Sequence, residues 1–292
     1  MTQLMLIERF VGPVIRSHFR EFADALSGIV SEDISFSEDL VLDGEGLLLR
    51  ASSEAALNSA ITRLRSNCDF DITASPPRPV YKETFVTKAK IDCTHKKLDG
   101  GKGEFARIEV CFIPGNFEDQ CEITSQLVDP HFESEFLHGA IAGIESVFQS
   151  GSFAGMPMTG IKAIITDAAW HNEDSSRLAF EIVARKAARE AAEKAGVELL
   201  EPVMAVVIMA DAAYSNKLRA DIWSRRGAVM KRVSDGANHE IHAQAPLATL
   251  FDYEDRVRFL TNGAGKCEMT FCRYDIVPIG NPPDEPLAAY AG

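Results

Sequence analysis

Two segments of this chain, residues 4–74 and 201–278, carry the same succession of hydrophobic periods: strand, helix, two strands, helix, strand. In the first, LMLIERFV (4–11) reads as a strand stopped by Gly12-Pro13. SHFREFADALSGIV (17–30) places Phe19, Phe22, Ala23, Leu26, Ile29 and Val30 on one helical face, with Ser17 as its cap. ISFSEDL (34–40) alternates, LDGEG (42–46) turns, LLLRA (47–51) and DFDITA (69–74) are strands, and SSEAALNSAITRLRS (52–66) is the second helix. In the second segment EPVMAVVIMA (201–210) and KCEMTFCRYDIVP (266–278) read as outer strands. AVMKRVS and HEIHAQAP pair around DGAN, and the helices are NKLRADIWSRRG (216–227), closed by Gly227, and LATLFDYEDRVRFLTNG (247–263). This order is the split-βαβ, ferredoxin-like sandwich, and few other topologies accommodate it.

SPPRP (75–79) holds three prolines in five residues, which continue neither a helix nor a central strand, so it reads as a linker. Beyond it, VYKETFVTKAKIDCTHK is a long β-rich run. The glycine-rich turn of KKLDGGKGEF (96–105) follows, then FARIEVCFIP (105–114), alternating through Ile108, Val110 and Phe112. Two alternating runs around such a turn predict a hairpin. A helix at 129–151, a strand at 159–171 and a helix at 175–196 follow. The last has a Ser cap, Asp174 as a further capping candidate, an alanine-rich body and Gly196 as its stop. The fold class is therefore α+β, in three domains: ferredoxin-like at 1–78, α+β at 79–199, and ferredoxin-like at 200–292 with a frayed tail.

A net charge of −13 excludes a general polyanion binder. Basic and acidic groups number 8 and 12 in residues 1–82, 12 and 19 in 83–200, and 10 and 12 in 201–292. Any contact with nucleic acid is then local and shaped. No apolar run is long enough for a bilayer, and the start has no basic segment before its apolar patch, so neither a membrane span nor a secretory signal is expected. Cysteines 68, 93, 111, 121, 267 and 272 form no Cys-x-x-Cys pair and read as buried reduced thiols in a cytoplasmic protein. His239, Glu240 and His242 lack a third ligand at zinc spacing, so no metal is expected. Asp92, Cys93 and His95 sit together, but no oxyanion hole or orienting group accompanies them, so no catalytic residue is assigned. NGAGKC lacks the first glycine of a phosphate loop. Asn216-Lys217 is followed by Arg219 where a guanine-reading motif needs Asp, and Asp43-Gly44-Glu45-Gly46 reads as a turn.

The order of motifs resembles the C-terminal three domains of elongation factor G, the translocation GTPase. GGKGEFARIEVCFIP (100–114) is similar to the hairpin that opens that family's fourth domain. GIESVFQSGSFAGMPMTGIKAIITDAAWHNEDSSRLAF (143–180) is similar to its next signature: helix, Ser-Gly, Gly-x-Pro, strand, then a His before Asp-Ser-Ser. LLEPVMAV (199–206), SRRGAV (224–229), IHAQAPLATLFDYEDRVRFLTNGAG (241–265) and EMTFCRYDIVP (268–278) follow its fifth domain. The resemblance implies a middle domain of the ribosomal-protein-S5-domain-2-like type.

It also implies a ribosome-directed module whose middle domain enters the decoding region and contacts rRNA, tRNA and mRNA. By the resemblance the tip comprises Gly100, Gly101, Lys102, Gly103 and Glu104, with His171 from the next loop. Lys96 and Lys97 add local positive charge, and Arg225, Arg226 and Gly227 correspond to an rRNA-facing position. GTP and Mg would concern only a separate or upstream GTPase domain. The chain itself is expected to have no cofactor, no GTPase action, and neither membrane nor DNA as partner.

Four departures from the family accompany the match. Glu104 stands where the family has Gln, Ala264 where it has Arg, and Asp252 where it has Gly. SEAALN (53–58) keeps only Glu54 and Leu57 of a Gly-Glu-Leu-His-Leu stretch. The first two substitutions and Asp252 remove positive or add negative charge. They motivate a second reading, a degenerate paralogue that binds a non-ribosomal partner.

Overall fold

A computed structural model describes residues 4–32, 36–40, 46–99, 102–129, 131–235, 238–278 and 280. Residues 42–45 of the LDGEG turn, Gly100, Gly101, the centre of DGAN and the tail from 281 lie outside the described residues. The chain divides into two compact units, one of residues up to Val80 with Glu201–Asp275, the other of Tyr81–Leu200.

In the first unit the N-terminal half contains β1 (Ile7–Pro13), α1 (Phe19–Glu32), β2 (Phe36–Leu40), β3 (Leu47–Ala51), α2 (Glu54–Asn67), β4 (Ile72–Ala74) and the short β5 (Arg78–Pro79). The sheet order is β2-β3-β1-β4, the ferredoxin-like arrangement expected. β1 runs through Gly12 and Pro13 instead of stopping before them, because Pro13 ends the strand opposite Ile72, where its missing N–H costs little. Ser17 lies in a single 3-10 turn, Arg16–His18, directly ahead of α1. Ser53 does cap α2, its hydroxyl accepting from the Ala56 N–H at 3.2 Å. The prolines of the linker admit one edge pairing, Pro79 against Ile7.

The second unit opens with β6 (Lys82–Phe85) and β7 (Ala89–Asp99). The single β-rich run thus splits in two, since its halves serve different sheets. β8 (Lys102–Pro114), β9 (Glu122–Ser125), α3 (Ser134–Ser150), β10 (Ile161–Ala169) and α4 (Arg177–Ala195) complete the unit's elements. Its four-stranded sheet is ordered β7-β8-β10-β9, with β9 parallel to β10. β9 carries no buried side chain, so no alternating pattern announces it. α3 and α4 cover one face, and their approach needs Gly143, where a Cβ would lie 2.3 Å from the Glu181 carbonyl oxygen. Seven alanines of α4, among them Ala184 and Ala188, are buried against that face.

β11 (Val197–Asp211) pairs first with β6 and then begins the second sandwich. α5 (Ser215–Ser224), β12 (Ala228–Asp235), β13 (Asn238–Pro246), α6 (Tyr253–Leu260) and β14 (Lys266–Ile276) follow, and the order β12-β13-β11-β14 repeats that of the first half. One apolar cluster gathers residues of both halves, including Phe22, Leu49, Ile208 and Tyr253. α6 is shorter than the 247–263 pattern, because Asp252 adopts φ +57° between a 3-10 turn at Leu247–Thr249 and the helix. Gly227 does not reverse the chain after α5; Arg226 takes the left-handed position at φ +60°. Gly227 instead allows close approach, since a Cβ there would lie 2.8 Å from the Ile222 carbonyl oxygen. Among the described residues no helix is long and apolar enough to cross a membrane.

Candidate functional site

The β7–β8 hairpin is paired in unbroken register from Ala89↔Phe112 to Asp99↔Lys102. Its inward face carries Ile91, Cys93, Ala106 and Ile108, all buried. The same face continues outward through His95 and Lys97 on β7, and through Glu104 on β8. Gly103 and Glu104 belong to β8; Gly100 and Gly101 are outside the described residues, and so is the Lys102 side chain. Lys96 and Lys97 are exposed.

His171 reaches the same place from β10. Trp170 packs against Phe136, with ring centroids 6.2 Å apart, which fixes the chain as it leaves the strand. The following loop is bonded to the hairpin by backbone and hydroxyl groups. The Phe105 N–H donates to the Asp174 carbonyl at 2.8 Å, and the Ser175 hydroxyl donates to the Phe105 carbonyl at 2.7 Å. The His171 N–H donates in turn to the Ser175 hydroxyl at 2.9 Å. His171 Nδ1 lies 3.4 Å from Asp174 Oδ2, and its side chain is 58% exposed. Gly103 lies close under this contact: a Cβ there would lie 2.6 Å from the Asp174 carboxyl carbon, so a larger residue would displace that side chain. A hollow of about 380 Å³ is lined by Lys96, Lys97, Gly103, Glu104, Trp170 and His171. A second hollow of about 330 Å³ opens beside Glu173 and Asp174.

Asp174 is therefore not the cap of α4. Ser176 fills that role, accepting from the Ala179 N–H at 3.1 Å. Sequence reasoning also missed the partner of Glu104: His95 Nε2 lies 2.9 Å from Glu104 Oε2. The strand alternation held the signal, since 95 and 104 fall on one face of a two-stranded ribbon. His95 is thus turned to β8, while the Cys93 thiol faces Glu190 of α4 at 3.9 Å and burial pushes its pKa up. Asp92 lies on the opposite face, bound to Arg107. The three residues form no nucleophilic centre.

Below the tip, the solvent face of the sheet is tied by charge. Arg107 bridges Asp92 and Asp167 at 2.6 and 2.8 Å, and its guanidinium holds the Asp167 carboxyl below the usual range. Lys90 binds Glu109 at 2.8 Å and lowers its pKa likewise. In the other unit Arg225 is bonded to Asp221 at 2.9 Å, to the Thr249 carbonyl, and over the Tyr253 ring at 4.8 Å. Arg226 grips Glu201 with both terminal nitrogens, at 2.6 and 2.8 Å. The two arginines hold the fold as well as lining its surface. His239 and His242 fall on opposite faces of β13, bonded to Ser234 and Glu240. Among the described residues no group of three or more His, Cys, Asp or Glu is placed to hold a metal.

Fold and site together define a class: an α+β protein of ferredoxin-like sandwiches and a helix-backed sheet whose hairpin end is welded to a histidine loop. Comparison with known families gives that class its name. The family model described as "Elongation factor G, domain IV" matches residues 77–196, and that of "Elongation factor G C-terminus" matches 198–284. A crystal structure of a protein from Thermus thermophilus superposes with a TM-score of 0.72 at 28% identity, over 93% of this chain and 41% of that one. The chain belongs to the elongation factor G family, spanning its domain IV and C-terminal regions and about two fifths of the length of that structural relative.

Proposed function

We propose that this chain acts on the ribosome in the cytoplasm as a translocation-type module, presenting the hairpin tip to the decoding region. Its parts would be three domains, 1–78, 79–199 and 200–292. The tip would comprise Gly100, Gly101, Lys102, Gly103, Glu104 and His171, with Lys96 and Lys97 beside it. The observation that carries this reading is the joining of the hairpin to the His171 loop through Ser175, within the region matching domain IV. Such a joint presents glycine backbone and a histidine ring as one rigid edge, suited to a shallow RNA groove read by shape and 2′-hydroxyls. Arg225, Arg226 and Gly227 would face rRNA with whatever hydrogen-bonding capacity their internal partners leave. GTPase action would come from another domain, because the sequence holds no phosphate loop.

Sedimentation with ribosomes at low and moderate salt tests this. Binding that weakens as salt rises is expected, and absence from the pellet at both salts overturns it. The net charge of −13 and the carboxylates of Glu104, Glu173 and Asp174 around the tip favour a second reading, a paralogue that binds a non-ribosomal partner. Under that reading Glu104→Gln leaves ribosome affinity unchanged.

A further inference from the structure

A carboxylate at an RNA-facing edge repels phosphate, yet Glu104 is among the residues lining the tip hollow. The structure gives that carboxylate a specific destination. Oε2 lies 2.9 Å from His95 Nε2, across the ribbon and two residue pairs toward the core, and the His95 side chain is only 20% exposed. An ionised carboxylate has no proton to give, so the imidazole N–H is the donor. His95 stands at the edge of the buried face, next to buried Cys93 on its own strand face and opposite fully buried Ala106.

We infer that His95 is a positioning residue for the tip, which draws the Glu104 carboxylate back along β7 and away from the edge offered to RNA. The inference rests on the ribosome-directed reading above. With His95 holding it, the Glu104 carboxylate is tied to the β7 side of the hollow, beside Gly103, the exposed lysines 96 and 97, Asp174 and the His171 ring; without it, that carboxylate is released toward the edge. One imidazole thereby sets the direction of one of the hollow's two carboxylates, Glu104, while Asp174 stays beside His171.

A double-mutant cycle on the full chain, read by sedimentation with purified ribosomes at low salt, tests it. His95→Ala is expected to weaken binding about two- to fivefold, the effect of one exposed charge. His95→Gln, which keeps an N–H donor, is expected to retain most of the affinity. Glu104→Gln is expected to raise binding slightly in the wild-type background and by a clearly larger factor when added to His95→Ala, which it restores to near the wild-type level. Rescue by removing the acid separates positioning from a merely structural role, which charge removal at 104 would not repair. Wild-type affinity in His95→Ala, or an equal gain from Glu104→Gln in both backgrounds, overturns the inference and leaves the ribosome-directed reading standing. Failure of the wild-type chain itself to sediment overturns that reading, and the inference with it.

Discussion

The Ser175 hydroxyl donates to the Phe105 carbonyl at 2.7 Å while accepting the His171 N–H at 2.9 Å. One atom thus joins β8 to the loop after β10, two stretches about 70 residues apart in sequence. Ser175→Ala leaves both backbone groups to find water, which their partial exposure permits. The expected cost is about 1 kcal/mol of stability, with the hairpin and α4 intact because Ser176 still caps the helix. Hydrogen exchange is the direct readout. Amides of 171–175 should exchange faster in the variant, and unchanged protection there would show that the hydroxyl is not the joint.

Glu83 makes a different kind of connection. Its carboxylate is fully buried and accepts four backbone N–H groups, from Ser152, Phe153, Ala154 and Met156, at 2.7–3.1 Å. Gly151 and Gly155, at φ +71° and +76°, give the loop its curl around the acid. Glu83→Ala leaves four donors facing a void, and the expected loss is about 3–5 kcal/mol, since each group buried without a partner carries a desolvation penalty. Urea unfolding followed by circular dichroism measures it. A shift below about 1 kcal/mol would mean that water or a side chain takes over the site.

The α3–α4 contact depends on a missing side chain. A methyl group at Gly143 would lie 2.3 Å from the Glu181 carbonyl oxygen and 2.8 Å from Ala184 Cβ, so the helices themselves must part. Gly143→Ala gains helix propensity of about 1 kcal/mol in isolation, but overpacking against backbone costs about 1–3 kcal/mol. A lower thermal midpoint is expected, and a raised one would show that the helices yield freely.

The ferredoxin-like halves were legible because sandwiches advertise themselves by period: Leu47, Leu49 and Ala51 alternate inward along β3 as any half-buried strand does. The hairpin was legible for the same reason. Capping was only half legible, since Ser53, Asp174, Ser175 and Ser176 all offer oxygen at helix starts and only tertiary position sorts them. Ser176 caps, whereas Ser175 and Asp174 reach across to β8. β9 was invisible because an exposed four-residue strand has no period to show. Gly227 was read as the helix stop because a glycine is the easier left-handed residue, whereas Arg226 takes that position. Bidentate pairing with buried Glu201 accompanies the arginine's φ of +60°, a long-range relation that local sequence does not carry. The His95–Glu104 pair lay within reach of the register argument but requires the hairpin to be drawn residue by residue.

Alkaline pH bears on the C-terminal sandwich through groups whose acidity burial suppresses. The Cys267 thiol is pushed up to about 12 by burial, with the charges of Glu254 and Glu268 adding to it. Burial likewise raises Tyr253, with Asp221 adding, and Tyr274, with Glu8 adding. Ordinary values are about 8.5 for the thiol and about 10 for the phenols. Between the unfolded and the folded pKa the native state therefore holds more protons than the unfolded chain. The stability these groups lend is fully present below about pH 8.5 and is lost as pH rises toward the folded values. The urea midpoint should fall steadily from about pH 8.5 upward, and less steeply in Cys267→Ser, whose side chain does not titrate there. Tyr253 allows a sharper check at neutral pH. Its ring is fully buried under the Arg225 guanidinium, yet among the described residues its hydroxyl has no hydrogen-bond partner. Tyr253→Phe keeps the ring and removes the unsatisfied group, so it should be neutral or stabilising by up to about 1 kcal/mol. A loss larger than that would reveal a partner for the hydroxyl in solution, and a midpoint that stays flat or rises with pH would refute the alkaline prediction.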